Sequence, residues 1–240
     1  MKMFNFNRCD RIQDVQMLDR VIISPNGALF FVPEKTKGGV DAQRRPHGEH
    51  EAFCESDGKL FPDTKSICDF VHGELVHLTQ YKKIKQNMLK CLDCNIKNGR
   101  IVGNFYVVGN GEKYVGDVAS DGTFTGKCIT MASQKWYMNG LRHGLQTEKI
   151  VRDGGWVTIK KNYNHGYLDG EFSVFGKTFY QYGYVKDGKV IFERTVDFNN
   201  YPILQKLNLV GVLGALMTYP ERQVLKHTIR QTDEKTRYHG

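Results

Sequence analysis

From Asn139 to Lys189 the chain alternates short polar turns with runs in which apolar and polar residues partly alternate. The runs at 145–151, 171–175 and 189–193 each follow an X-Gly pair, namely His143-Gly144, Asp169-Gly170 and Asp187-Gly188, and His165-Gly166 is a further pair of the same kind. Glycine supplies the positive φ that a tight hairpin turn needs, and period-two runs rich in Val, Ile, Tyr and Phe suit a half-buried strand. Each unit is therefore predicted to be a turn followed by a strand. The same pattern runs backwards through His47-Gly48, His72-Gly73, Val102-Gly103 and Thr125-Gly126, with 18 to 30 residues between glycines. Such recurrence marks a repeat architecture with about one hairpin per unit.

The segment from about Gly99 to Lys189 resembles a degenerate array of MORN repeats, of the divergent variety found in bacterial antitoxin-like proteins and in large DNA viruses. The likeness rests on Asn139-Gly140 followed by His143-Gly144, on Tyr114-Val115-Gly116, and on Asp121-Gly122 followed by Thr125-Gly126. Val118 stands where the better-known repeats often carry Trp. The resemblance implies an elongated, single-layer run of β-hairpins used for protein contact, membrane apposition or scaffolding, and it implies nothing catalytic.

The flanks differ from the array. Ile12, Val15 and Leu18 are spaced for a short amphipathic helix, although Val15, Met17 and Leu18 would equally feed a strand. Two apolar runs around Pro25-Asn26-Gly27 predict a hairpin that caps the array, and residues 33–47 read as an exposed loop. Pro62-Asp63 is expected to be a turn, with a return strand at 67–71. The basic stretch 81–98 fits either a short helix or a strand connection. After Asn200-Tyr201-Pro202, apolar residues at near-helical spacing predict a helix over 203–217, too short to span a bilayer, and a more polar helix over 221–232. The expected fold is mainly β: a cap hairpin and loop over 1–45, degenerate repeats and a basic connector over 46–98, the MORN-like array over 99–199, and a helical region over 200–240.

Composition adds three constraints. An apolar fraction of 40% with 25% charge argues against disorder, and 25 glycines against six prolines reflect many turns. The net charge of +8 is concentrated in residues 81–100, where Lys82, Lys83, Lys85, Lys90, Lys97 and Arg100 face Asp93 alone. That field would attract nucleic acid, an anionic membrane or an acidic protein. Six cysteines in a chain of this size, with no secretory signal and no N-x-S/T acceptor, read as reduced thiols in an intracellular protein.

Candidate chemistry is sparse. Cys91-x-x-Cys94 offers two corners of a tetrahedral zinc site but lacks a second pair; Cys54, Cys68, His47 and His50 would complete only a composite site, so free thiols are the expectation. Four of the eight histidines precede glycine in the repeats and read as turn residues rather than acid–base groups. Gly109-Asn110-Gly111 lacks the third glycine of a phosphate loop, and no nucleophile elbow, P-loop or His-Glu-x-x-His motif occurs. Trp136, Tyr137, Trp156, Phe179, Tyr180, Tyr182 and Tyr184 gather near Lys160 and Lys161, either as cross-strand pairs or as a stacking surface.

The expectation is a non-enzymatic scaffold or glue, with no cofactor, metal or small-molecule substrate, that contacts other proteins of an assembly or itself. A virion component of a large DNA virus is the specific instance the resemblance suggests. The alternative is a peripheral adaptor that binds anionic membrane, nucleic acid or an acidic protein through its basic segment. The candidate partner-binding residues are Lys82, Lys83, Lys85, Trp136, Trp156, Lys160, Lys161, Leu207, Val210 and Leu213.

Overall fold

A computed structural model describes residues 9–56, 59–152 and 155–197, with the side chains of 53–63 excepted. The helices expected at 203–217 and 221–232, and with them Leu207, Val210 and Leu213, lie outside the described residues. Among the described residues the chain forms strands and turns only. Three short strands, β1 (Gln16–Leu18), β2 (Val21–Ile23) and β3 (Leu29–Phe31), make one small antiparallel sheet. The other fifteen make a second sheet: β4 (Lys37–Val40), β5 (Pro46–Ser56), β6 (Lys59–Val71), β7 (Glu74–Ile84), β8 (Asn87–Lys97), β9 (Arg100–Gly109), β10 (Glu112–Val118), β11 (Phe124–Ile129), β12 (Ser133–Met138), β13 (Leu141–Arg142), β14 (Gly144–Arg152), β15 (Gly155–Asn164), β16 (Tyr167–Phe175), β17 (Phe179–Lys186) and β18 (Lys189–Asp197). They pair in chain order, each antiparallel to the next, except that the short β13 also pairs with β12 beside β14.

The expected hairpin turns are present at His72-Gly73, His165-Gly166 and Asp187-Gly188, where both residues have positive φ. Asn98-Gly99, Asn110-Gly111 and Asn139-Gly140 do the same. Two successive positive φ values define the type I′ turn, whose twist matches that of the flanking strands. Of the other predicted turn glycines, Gly126 lies within β11 in regular register opposite Gly116, and Gly48, Gly103, Gly144 and Gly170 sit within or at the start of strands at positive φ. At Gly103 and Gly170 the pairing register slips by two residues: Cys94 faces Phe105 and Ile96 faces Ile101, so Asn95 alone opposes Val102, Gly103 and Asn104. Asn162 likewise opposes residues 169–171 around Gly170. These are β-bulges. In three hairpins the bulge glycine follows the turn glycine by four residues (99 and 103, 140 and 144, 166 and 170), so the repeated hexapeptide encodes a turn and then a bulge.

The bulges are paid for locally by side chains. Gln146 bridges the gap in the ladder beside Gly144: its Oε1 accepts from the Trp136 amide (2.9 Å), and its Nε2 donates to the carbonyls of Trp136 (3.0 Å) and His143 (2.9 Å). Two residues after each of two bulges an aromatic ring faces a glycine on the next strand, Phe105 opposite Gly116 and Phe172 opposite Gly183.

The N-terminal hairpin is not an end cap. The small sheet lies over one face of the large one, where Val15 and Ile22 join a core of Leu78, Leu92, Phe105, Val107, Phe124 and Tyr137. The segment leading to it is extended, not helical, and is strapped across three successive hairpin ends. The amides of Asp10, Ile12 and Val15 donate to the carbonyls of Gly166, Gly140 and Gly122 at 2.8, 2.9 and 2.8 Å. A Cβ on Gly166 would meet the Cys9 Sγ at 2.6 Å, so this turn glycine also makes room for the strap. A sheet with one apolar face needs a cover, and an edge position could not supply one.

Two further expectations change. Residues 37–40 of the predicted loop form the exposed edge strand β4. Pro62-Asp63 is not a turn, because β6 runs through it; Pro62 falls at a bulge, beyond the last pair with β7 (Thr64 with Lys82), where its missing N–H leaves no ladder bond unmade. The basic stretch 81–98 resolves as two strands, joined by a turn with Lys85 at φ 59°.

Candidate functional site

Covering one face of the large sheet leaves the other facing solvent between β6 and β12. Along each strand of this open face, alternate residues point outward. On β6, β7 and β8 the register lines up Lys65, Tyr81 and Lys90 directly. The stripe continues on β9 and β10, because the Nζ atoms of Lys90 and Lys113 lie 5.4 and 5.1 Å from the Tyr106 ring centre, one from each side. On β11 and β12 it ends with Lys127, whose Nζ sits 4.2 Å from the ring centre of its cross-strand partner Trp136. Seven neighbouring strands thus each bring one lysine or aromatic side chain to a single band, in which Lys113 stands two residues along β10 from Val115, the residue directly across from Tyr106 and Lys127, and Asp93 stands directly across from Tyr106 on β8. With strands about 4.8 Å apart, the band is about 29 Å long.

Its charges are unequal. Lys65 pairs with Glu51, and Lys90 pairs with Asp93 at 2.6 Å, an ion pair that raises the Lys90 pKa. Asp93 also accepts from His77, whose other ring nitrogen meets Asp69 at 3.2 Å. Burial pushes the Asp93 carboxyl up, but the hydrogen bonds from Lys90 and His77 outweigh it and hold it below the ordinary range. Lys113 and Lys127 have no carboxylate within ion-pair distance among the described residues. Val108, Val115 and Ile129 are exposed between them, and Asp117 borders the row on β10.

The sequence-predicted residues distribute differently. Trp136 belongs to the stripe. Trp156 is 66% exposed at the far end of β15, beside Val151. Lys160 and Lys161 are adjacent in a strand and so point to opposite faces, which means they do not form one patch with the tryptophans. Lys161 lies on the covered side with Lys135, Arg142, Gln146 and Glu148 around a hollow of about 10 Å³, and burial lowers its pKa. Tyr180 and Tyr182 are buried and stacked 5.3 Å apart, as structural aromatics.

Lys82, Lys83 and Lys85 are exposed at the tip of the β7–β8 hairpin, among Ile84, Met88 and Leu89, which are 42–52% exposed. No acidic residue lies between 81 and 92. Cys94 is buried in the core, which pushes its thiol up to about 12, and Cys91 points its half-buried thiol at the Gln80 carbonyl 3.4 Å away. Among the described residues no group of three or more His, Cys, Asp or Glu side chains is placed to hold a metal.

Tyr81, Tyr106, Lys113 and Lys127 were not singled out by sequence reasoning. Their signal is present but distributed: only once the type I′ turns fix the register do residues 7 to 16 apart become neighbours. Compared with protein-family models, curated proteins and solved structures, the chain matches none of them.

Proposed function

We propose that this protein is a non-enzymatic interaction scaffold whose open sheet face engages a partner within a larger assembly. The observation that carries this reading is the asymmetry of the sheet. One face between β7 and β12 is sealed by the chain's own N-terminal sheet, and the other exposes Trp136, Val108, Val115 and Ile129 among lysines. Exposed apolar side chains of this kind, rimmed by polar ones, mark contact surfaces. The resemblance to MORN arrays supports the same reading, and a virion of a large DNA virus is the assembly it suggests.

Lysine-directed cross-linking in the native source tests this. Cross-links to a partner are expected at Lys90, Lys113 and Lys127, and not at Lys135 or Lys161 on the covered side. A chain that stays uncross-linked, with open-face lysines as reactive as in the purified protein, would overturn it.

A second reading rests on the β7–β8 tip, whose lysines and exposed Ile84, Met88 and Leu89 suit an adaptor that touches an anionic surface.

A further inference from the structure

The open-face stripe has a composition that a protein partner does not require. Lysine and aromatic side chains follow one another across seven strands, with ammonium groups held 4.2 to 5.4 Å from ring centres. We propose that this stripe binds single-stranded nucleic acid, the bases stacking on Tyr81, Tyr106 and Trp136 and the phosphates pairing with Lys90, Lys113 and Lys127. The proposal rests on the scaffold reading in using the same face, and names the partner.

Three observations favour this occupant. Single strands are bound without sequence preference by aromatic platforms set beside a cationic track, since every base has a π-face and every linkage a phosphate. The stripe supplies both, and about 29 Å of sheet accommodates about four to six extended nucleotides. Lys113 and Lys127 carry charges that no carboxylate offsets among the described residues, so binding phosphate there breaks no ion pair. Tyr106 and Trp136 lie on β9 and β12, three strand spacings apart, and Val115 and Lys127 fill the same cross-strand row between them. Duplex DNA or RNA keeps its bases stacked inside and would meet only the lysines.

The chain has two tryptophans, so a Trp156→Phe protein reports on Trp136 alone. This protein is titrated with oligo-dT of about 20 nucleotides at about 50 mM salt, alongside a duplex of equal length, inorganic polyphosphate and vesicles containing phosphatidylserine. The expected result is oligo-dT binding that quenches Trp136 and weakens with salt, a log–log slope of about −2 for three lysine contacts, and weaker binding of the duplex without quenching. Tyr106→Leu and Trp136→Leu, which keep an apolar side chain but remove the ring, each lower affinity about 5- to 100-fold with an unchanged melting temperature. Lys113→Glu with Lys127→Glu removes most of the salt dependence.

Absence of oligo-dT binding at low salt overturns the proposal. So does binding that both Leu variants leave intact, or polyphosphate or vesicles that bind as tightly and quench Trp136 equally, since the stripe would then be a general anion surface. If oligo-dT fails while native cross-links still join Lys113 and Lys127 to a protein, the scaffold reading stands and the nucleic-acid assignment falls.

Discussion

Phe172 and Gly183 face each other across β16 and β17, and a Cβ built on Gly183 would come within 2.6 Å of the Phe172 ring and 2.4 Å of the Phe192 carbonyl oxygen. The ring occupies the space a side chain would take, closing a cluster with Tyr163, Leu168 and Val185. Gly183→Ala is therefore expected to destabilise the protein by about 1–3 kcal/mol through overpacking. Gly155→Ala, where the nearest atoms are 3.8 Å away and φ is not positive, should be neutral or slightly stabilising. Urea unfolding of both variants checks this; equal midpoints would mean that the ring yields.

The covering role of the N-terminal sheet makes a second prediction. Ile22 is fully buried in the shared core, whereas Leu29, one strand away, is 55% exposed. Ile22→Ala should cost about 2–5 kcal/mol, and Leu29→Ala well under 1 kcal/mol. If β1–β3 were a detachable cap, both substitutions would leave the main thermal transition in place.

The β-hairpin array was legible because local rules govern it. Asn-Gly and His-Gly pairs at type I′ turns, and period-two runs between them, depend on neighbours in sequence. Gly48, Gly103, Gly144 and Gly170 were recognised as special yet assigned to turns, since a positive φ serves a bulge as well as a turn and only the pairing register separates them. The placement of the Pro25-Asn26-Gly27 hairpin was not legible either. Its seat depends on the Asn26 Nδ2 donating to the Gly109 carbonyl at 2.8 Å, and on the Gln80 Nε2 donating to the Phe31 carbonyl at 2.7 Å, contacts that span 83 and 49 residues. The stripe was half legible: Trp136 was noticed, but the lysines named for it were those near Trp156, and Lys127 becomes its partner only through the β11–β12 register.

Asp93 ties the acidic and basic parts of the open face together, and its behaviour with pH follows from its neighbours. Its carboxyl is held below the ordinary value because the hydrogen bonds from Lys90 and His77 outweigh burial. A group with a depressed folded-state pKa adds stability above its unfolded value, about 3.9 for aspartate, and loses it as pH falls through the folded value. Asp93→Asn should thus lower stability at pH 7 by about 0.5–1 kcal/mol, a modest figure because the pair is partly solvated. The gap between the two proteins should begin to narrow below about pH 4 and close as pH falls through the lower folded value. Denaturant unfolding at pH 7 and in steps downward from about pH 4 reads this directly; a gap that does not narrow as pH falls would assign the loss to packing instead of charge.

The β7–β8 tip separates the adaptor reading from the open-face readings. Lys82 and Lys83 precede Ile84, Lys85 turns the hairpin, and Met88 and Leu89 return beside them, all exposed. An anionic bilayer would gain about 1 kcal/mol per lysine near its surface and further energy from the three apolar side chains. Replacing Lys82, Lys83 and Lys85 by Glu reverses the sign of the tip and touches none of the stripe residues. If the tip is the adaptor surface, sedimentation with phosphatidylserine vesicles at low salt is lost in this variant, while oligo-dT binding falls only by the long-range part that salt screens. Ile84→Ser with Leu89→Ser should weaken vesicle binding while leaving its salt dependence in place, because insertion is lost and charge attraction is kept. An unmodified protein that stays in the supernatant with anionic vesicles at low salt removes the adaptor reading, and the tip lysines are then a solvated hairpin end.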